Sequence, residues 1–139
     1  MARCANNSAI VITFTDGSDY YEVAFDKFTT PPRTYLAAAS LSFSVAGSSV
    51  QTGSSRAGRQ TWAIATYGTR EDAFTIDEMY RAWDAARAAG NAAACGVVDQ
   101  TFVRDPSVPV TATAVFTAAP TFEERSKNLY LISFGMTEV

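Results

Sequence analysis

The chain has 139 residues, of which 47% are hydrophobic and 18% are charged. This composition excludes a disordered protein and predicts one folded domain over residues 1–139. The formal net charge is −3 and no basic patch is visible, so specific nucleic-acid binding is not expected. The N-terminus lacks the apolar run of a signal peptide, and the apolar stretches are strand-sized. We therefore expect a soluble protein made in the cytoplasm, with no membrane contact.

Two alternating apolar runs near the N-terminus predict a β-hairpin. Residues 10–14 and 21–25 each place a large apolar or aromatic side chain at every second position, and Asp16-Gly17 lies between them. Asp-Gly favours a hairpin turn because glycine readily adopts the positive φ that such a turn needs.

A proline arm, consisting of Pro31, Pro32 and Arg33, interrupts the strand pattern. Proline cannot donate a hydrogen bond to a β-ladder. We therefore expect residues 28–34 to be extended and either exposed or at a sheet edge.

Residues 40–45 alternate again, with Leu41, Phe43 and Val45 facing the core, and residues 59–67 form the next predicted strand. The Gly/Ser-rich stretch 47–58 between them predicts a second hairpin with a long tip. Such a tip suits a contact with another subunit, and we call it the assembly loop. The residues expected to anchor it to that subunit are Val50, Arg56 and Arg59.

A helix is predicted over about residues 75–90. Thr75 and Glu78 have the spacing of a capping box, Phe74 and Met79 that of a hydrophobic staple, and Gly90 offers a left-handed stop. Three- and four-residue steps give the helix one apolar face that packs on the sheet, made by Ile76, Met79, Tyr80 and Trp83.

Strands are predicted over residues 96–103, 108–116 and 129–134, with a polar connection over 117–128. The total is about seven strands, with the helix between the fourth and the fifth. The fold class is therefore mainly β: an antiparallel β-sandwich or split barrel with one helix packed on it.

Catalytic and metal sites are not indicated. The chain has no histidine, which removes the common nucleophilic triads and nearly all zinc hydrolase sites. Asp16, Asp19 and Glu22 match no EF-hand loop and suit a turn, while Asp77 and Glu78 suit the first turn of the helix. We expect no enzyme activity, no cofactor and no metal.

The two cysteines and three of the aromatic residues are further candidates for a functional site. Cys4 and Cys95 have no motif spacing and are expected to be free thiols in a reducing compartment. Trp62, Tyr80 and Trp83 suit either a core between helix and sheet or the walls of a ligand pocket.

The order of these elements resembles that of one family of proteins. The parts that carry the resemblance are the strands, the helix from Thr75 to Ala89, the loop from Gly47 to Gly58, and the C-terminal stretches Val115 to Phe122 and Leu129 to Val139. It comprises the structural proteins of long-tailed bacteriophage tails: tail tube, distal tail and baseplate-hub proteins. The resemblance implies a β-sandwich or split barrel flanked by a helix, with a long hairpin loop that contacts neighbouring subunits or rings.

The resemblance implies a virion structural protein that forms a six-fold ring of its own copies in the tail and meets other tail or baseplate proteins. The chain is too short for the extra domain of the larger distal tail proteins. Two alternatives stay open: a small-molecule or lipid-binding β-barrel with Trp62, Tyr80 and Trp83 as its walls, and an enzyme that uses carboxylates only.

Overall fold

A computed structural model describes residues 9–36, 39–43, 49–53, 59–91, 93–105 and 107–139, with side chains except at 36, 39–43 and 49–53. The elements in this part of the chain are β1 (Ile10–Thr15), β2 (Tyr20–Phe25), β3 (Arg33–Leu36), β4 (Ala39–Phe43), β5 (Ser49–Gly53), β6 (Arg59–Gly68), α1 (Arg70–Ala88), β7 (Cys95–Asp99), β8 (Val110–Ser126) and β9 (Leu129–Glu138).

Seven of the described strands form one antiparallel sheet in the order β2-β1-β7-β8-β9-β6-β3, and β4 pairs with β5 in a separate ribbon. The predicted class, mainly β with about seven antiparallel strands and one helix, is confirmed, and the sheet is not closed. The first hairpin is confirmed as well, with Ile10 opposite Phe25 and Thr15 opposite Tyr20. Gly17 has a φ of 95° in its turn.

The sheet curls because the chain after β2 crosses to the opposite edge. The carbonyl of Lys27 accepts from Tyr67 N at 3.0 Å, and the carbonyl of Pro32 accepts from Ala63 N at 2.9 Å. Both donors belong to β6, and β3 then pairs with the start of the same strand. The helix lies inside the curve and contacts β2, β6, β8 and β9.

The predicted start of the helix at Thr75 is wrong, because α1 begins at Arg70. The capping box is formed by Thr69 and Asp72 in place of Thr75 and Glu78. Asp72 N donates to Thr69 Oγ1 at 3.3 Å, and Thr69 N donates to Asp72 Oδ2 at 3.2 Å. Thr75 donates to the carbonyl of Glu71 at 2.8 Å as an interior residue. Thr69 and Thr75 are both followed three residues later by an acid, and the start at Thr69 adds more than a turn of helix. Gly90, with a φ of 85°, ends the helix as predicted.

The predicted second hairpin is wrong, because strand 40–45 does not pair with 59–67. β4 pairs with β5, which lies within the predicted loop 47–58, so that Phe43 faces Ser49. β6 pairs instead with β3 and β9. Since β3 ends at Leu36 opposite Arg59, the β4–β5 ribbon is inserted between two neighbouring strands.

Two other predicted boundaries also change. The polar connection 117–128 is wrong: β8 continues to Ser126, and a two-residue turn at 127–128 leads into β9. The predicted strand 96–103 is β7, which ends at Asp99. In chain order, the helix follows the fourth strand of the seven-stranded sheet and precedes the fifth, as predicted. The third strand of that sheet, however, is Arg33–Leu36 and not the predicted strand 40–45.

A chain of aromatic rings connects the curled sheet to the helix. Phe25 on β2 lies 5.9 Å from Phe134 on β9, and Phe134 lies 5.9 Å from Phe116 on β8, measured between ring centroids. Phe116 meets Tyr80 edge-on at 5.2 Å and Trp83 at 5.3 Å. Because β2 and β9 are not neighbours in the sheet, their contact shows that the curved sheet and the helix enclose one core.

Candidate functional site

Three of the acidic side chains considered as metal or catalytic groups, those of Asp16, Glu22 and Asp77, have structural partners. Asp16 Oδ1 accepts from Asp19 N at 2.8 Å and from Ser18 N at 2.9 Å. These two backbone hydrogen bonds lower the pKa of Asp16, which is the turn role that was predicted. Asp77 pairs with Arg81 at 3.2 Å in the second turn of α1, so its placement in the first turn was wrong. Within the described ranges, no cluster of three or more potential metal ligands occurs.

Cys95 is a free thiol, fully buried at the start of β7. Burial raises the pKa of this thiol to about 12, which makes it a poor nucleophile. Cys4 lies outside the described residues.

The proline arm lies at a sheet edge, as predicted, but Arg33 points inward. Pro31 is exposed and Pro32 is buried. Arg33 Nη1 contacts Asp99 Oδ2 at 3.2 Å, with side-chain exposures of 6% and 0%. Trp62 Nε1 donates to the same carboxylate oxygen at 2.9 Å. A charged group is costly to bury unless it is paired and hydrogen-bonded, and this carboxylate is both.

The Asp99 network also sets the conformation of the loop after β7. Asp99 Oδ1 accepts from Thr101 N at 2.7 Å and from Thr101 Oγ1 at 2.6 Å. Arg33 Nη2 donates to the carbonyl of Phe102 at 2.8 Å. Phe102 has a φ of 47° and is 98% exposed. A bulky residue rarely adopts this backbone region, and such strain is held where the surrounding structure determines it. The buried network therefore presents one aromatic ring to solvent.

The predicted apolar face of the helix faces the core. Ile76, Met79 and Trp83 are buried, and Tyr80 is partly buried against the core. Trp83 Nε1 donates to the carbonyl of Ala93 at 3.1 Å.

Of the aromatics weighed as pocket walls, Trp62 lines a shallow groove of about 500 Å³ with small residues of β6, β8 and β9. Tyr80 and Trp83 line a different one of about 290 Å³ with Asp84, Arg87 and residues 116–119. The rings themselves fill the core.

A third groove lies between the helix and the distal part of β8 and β9. We call it the helix–arm groove; its volume is about 260 Å³, and its lining residues are Arg70, Ala73, Phe74, Asp77, Arg81, Phe122 and Tyr130. Phe74 is 55% exposed and Phe122 is 38% exposed. Its walls are thus apolar, with charged groups of both signs among them.

In the distal β8–β9 arm, residues 117–131, the β8 half extends past its neighbour β7, while the β9 half stays paired with β6 as far as Tyr130. β7 pairs with β8 only as far as Ala114, whereas β9 pairs with β8 to Ser126. Residues 117–126 are all exposed except Pro120, which is partly exposed. At the tip, Asn128 Oδ1 accepts from Arg70 N at 3.2 Å, so the arm is anchored to the start of the helix.

The assembly loop is only partly described. Arg59 is exposed and pairs with Leu36, and Val50 lies in β5 opposite Ser42. Arg56 lies outside the described residues. The predicted contact of this loop with another subunit stays a prediction.

Sequence reasoning missed Asp99, Phe102 and Phe122 as residues of interest. Asp99 carried a usable signal, because an aspartate followed two residues later by threonine favours a turn held by the aspartate side chain. Phe102 carried none, since its exposure depends on Arg33, which is distant in sequence.

Comparison with protein-family models, with curated proteins and with solved structures gave no match. In the described part of the chain, the helix is too polar for a membrane-crossing segment.

Proposed function

We propose that this chain is a structural subunit that assembles with copies of itself, and that the assembly is a ring in a bacteriophage tail, as a tail tube, distal tail or baseplate-hub component. The observation that carries self-assembly is the β8–β9 arm. It leaves Phe122 and Leu129 each 38% exposed, where β8 extends beyond β7 and turns into β9. The tail assignment is supported by the resemblance seen in the sequence, of which the mainly β fold with one helix stands and the hairpin with a single long loop does not.

The edge of the arm is protected against indiscriminate strand pairing. Pro120 removes one backbone donor, and Glu123, Glu124 and Arg125 place charges along the exposed stretch. Proline and charges at a sheet edge discourage aggregation. Contact through side chains therefore suits this arm better than the addition of a strand.

A second extension leaves the other end of β6. The β4–β5 ribbon lies between Leu36 and Arg59, at the start of that strand, whereas the arm reaches α1 just after Gly68. The ribbon before β6 and the β8 edge that β7 leaves unpaired are two separate surfaces, and two separate contact surfaces suit a repeating assembly. The partners proposed are copies of this chain and other tail proteins, and the proposed location is the virion tail.

The test is the native mass of the purified full chain, measured by light scattering across a concentration series, together with negative-stain images. We expect an oligomer and rings or stacked rings in the images. The double variant Phe122→Thr/Leu129→Thr should shift the mass towards the monomer, because these exposed apolar groups are removed from the arm.

The matched control is Tyr20→Thr/Tyr35→Thr, which removes two aromatic rings that are 64% and 67% exposed away from the arm. This control should assemble as wild type does. A wild-type chain that stays monomeric at every concentration would overturn self-assembly, and an unaltered arm variant would show that the arm is not the contact.

A further inference from the structure

Phe102 and the helix–arm groove lie at opposite ends of the sheet. Phe102 is held by Arg33, which is opposite Trp62 on β6. The groove lies beside Tyr130, which is opposite Gly68 on the same strand. Six residues of strand span about 20 Å, so the two features cannot meet within one subunit.

We infer that Phe102 of one copy inserts into the helix–arm groove of the next copy, in a head-to-tail contact. This inference rests on the proposed self-assembly and names the two surfaces that meet. A projection at one end and its receptor at the other make a heterologous contact, which generates a ring if the rotation closes and a filament if it does not.

The helix–arm groove offers apolar walls to an aromatic ring. The groove has a volume of about 260 Å³ and apolar walls that include Phe74 and Phe122. A phenylalanine side chain can bury about 150–250 Å² on insertion, and aromatic rings favour tilted contacts with one another. The backbone of Phe102 needs little ordering on binding, because Arg33 already holds its carbonyl, and an ordered backbone loses less entropy on binding.

Both features carry charged groups of both signs, and at the groove Arg81 pairs with Asp77 at 3.2 Å and Arg70 with Glu124 at 3.9 Å, pairs that are exposed enough to exchange partners. The Phe102 loop exposes Arg104 and Asp105. Hydrogen bonds from Ser107 lower the pKa of Asp105 and keep it ionised. Arg70 and Arg81 at the groove can meet this carboxylate, and Asp77 can meet Arg104. Such rim charges set orientation and the rate of association more than affinity.

One aromatic anchor is a hot spot within a larger contact, because a stable interface buries well over 1,000 Å² in total. The inference therefore predicts a large effect from a single side chain. Phe102→Asn removes the ring, and asparagine tolerates the left-handed backbone, so the subunit is expected to fold. Phe122→Lys places a charge in the groove and leaves Phe102 unchanged.

The test measures association of the full chain by analytical ultracentrifugation, with far-ultraviolet circular dichroism as the check on folding. Each variant alone should raise the dissociation constant by about thirtyfold or more. An equimolar mixture should form a one-to-one dimer, because each variant keeps the surface that the other lacks. Tyr20→Thr is the control and should assemble as wild type does.

The outcomes separate the two proposals. A wild-type oligomer that Phe102→Asn leaves unchanged would overturn the inference while self-assembly stands. Two monomeric variants whose mixture gives no dimer would also overturn it, since a head-to-tail contact requires complementation. A wild-type monomer would overturn both.

Discussion

Arg33 Nη1 lies 3.2 Å from Asp99 Oδ2, and the two side chains are 6% and 0% exposed. The residues are 66 positions apart, and their contact joins edge strand β3 to the end of β7. The same arginine holds the carbonyl of Phe102. One buried ion pair therefore stabilises the curled sheet and presents the exposed ring.

Arg33→Met should lower the free energy of unfolding by about 3–5 kcal/mol, because it leaves the Asp99 carboxylate buried without its cation. The double variant Arg33→Met/Asp99→Asn should cost less than the sum of the two single changes. Urea denaturation of the four proteins measures this coupling. Lys27→Met is the control: Lys27 and Asp26 lie 4.0 Å apart at the surface, and such pairs contribute less than about 1 kcal/mol. Additive losses would show that the buried pair is not energetically coupled.

Thr69→Ala should lower the free energy of unfolding by about 1 kcal/mol, because Asp72 N loses its acceptor at the start of the helix. Thr75→Ala is the matched control and should change stability little, since its hydroxyl bonds only to an interior carbonyl. Thermal or urea melts distinguish the two. A larger loss at Thr75 would mean that the helix begins there after all.

Trp83→Ala should lower the free energy of unfolding by about 3–5 kcal/mol, the usual cost of removing a buried aromatic side chain. Trp83 is 6% exposed, packs on Phe116 and hydrogen-bonds the carbonyl of Ala93. Phe74→Ala, at a helix position that is 55% exposed, is the control and should cost far less. Equal losses in urea melts would place the apolar face of the helix elsewhere.

The Cys95 thiol should resist alkylation in the folded chain at pH 8 and react after unfolding, because burial raises its pKa from 9.0 to about 12. Cys4→Ser removes the other thiol so that the reagent reports on Cys95 alone. Rapid alkylation under native conditions would contradict the burial.

The same shift predicts an alkaline loss of stability. Between pH 9 and about pH 12 the folded state keeps the Cys95 proton, whereas the unfolded state releases it. The stability that depends on this thiol is therefore fully present below pH 9 and is lost as the pH rises through about 12. Urea melts between pH 8 and pH 11 should therefore show a steeper decline for the wild type than for Cys95→Ala. Parallel declines would assign the pH dependence to other groups.

Short-range patterns in the sequence determined several features of this protein correctly. Asp16-Gly17 between alternating runs predicts the first hairpin, since turn geometry depends on adjacent residues. The spacing of Ile76, Met79 and Trp83 predicts the buried helix face, and Gly90 its end. The start of the helix was misplaced because Thr69 and Thr75 are both followed by an acid at the spacing of a capping box. Only the tertiary structure, through the arm packed on the first turn, distinguishes them.

Apart from the first hairpin, the tertiary structure alone decided which strands became neighbours. Alternation shows which side of a strand is apolar, but backbone hydrogen bonds are alike in every strand and do not specify a partner. β6 therefore pairs with β9 and β3, where its buried side chains meet the helix and the aromatic core. The ion pair of Arg33 with Asp99, and with it the exposure of Phe102, arises only after those strands have come together from distant parts of the chain.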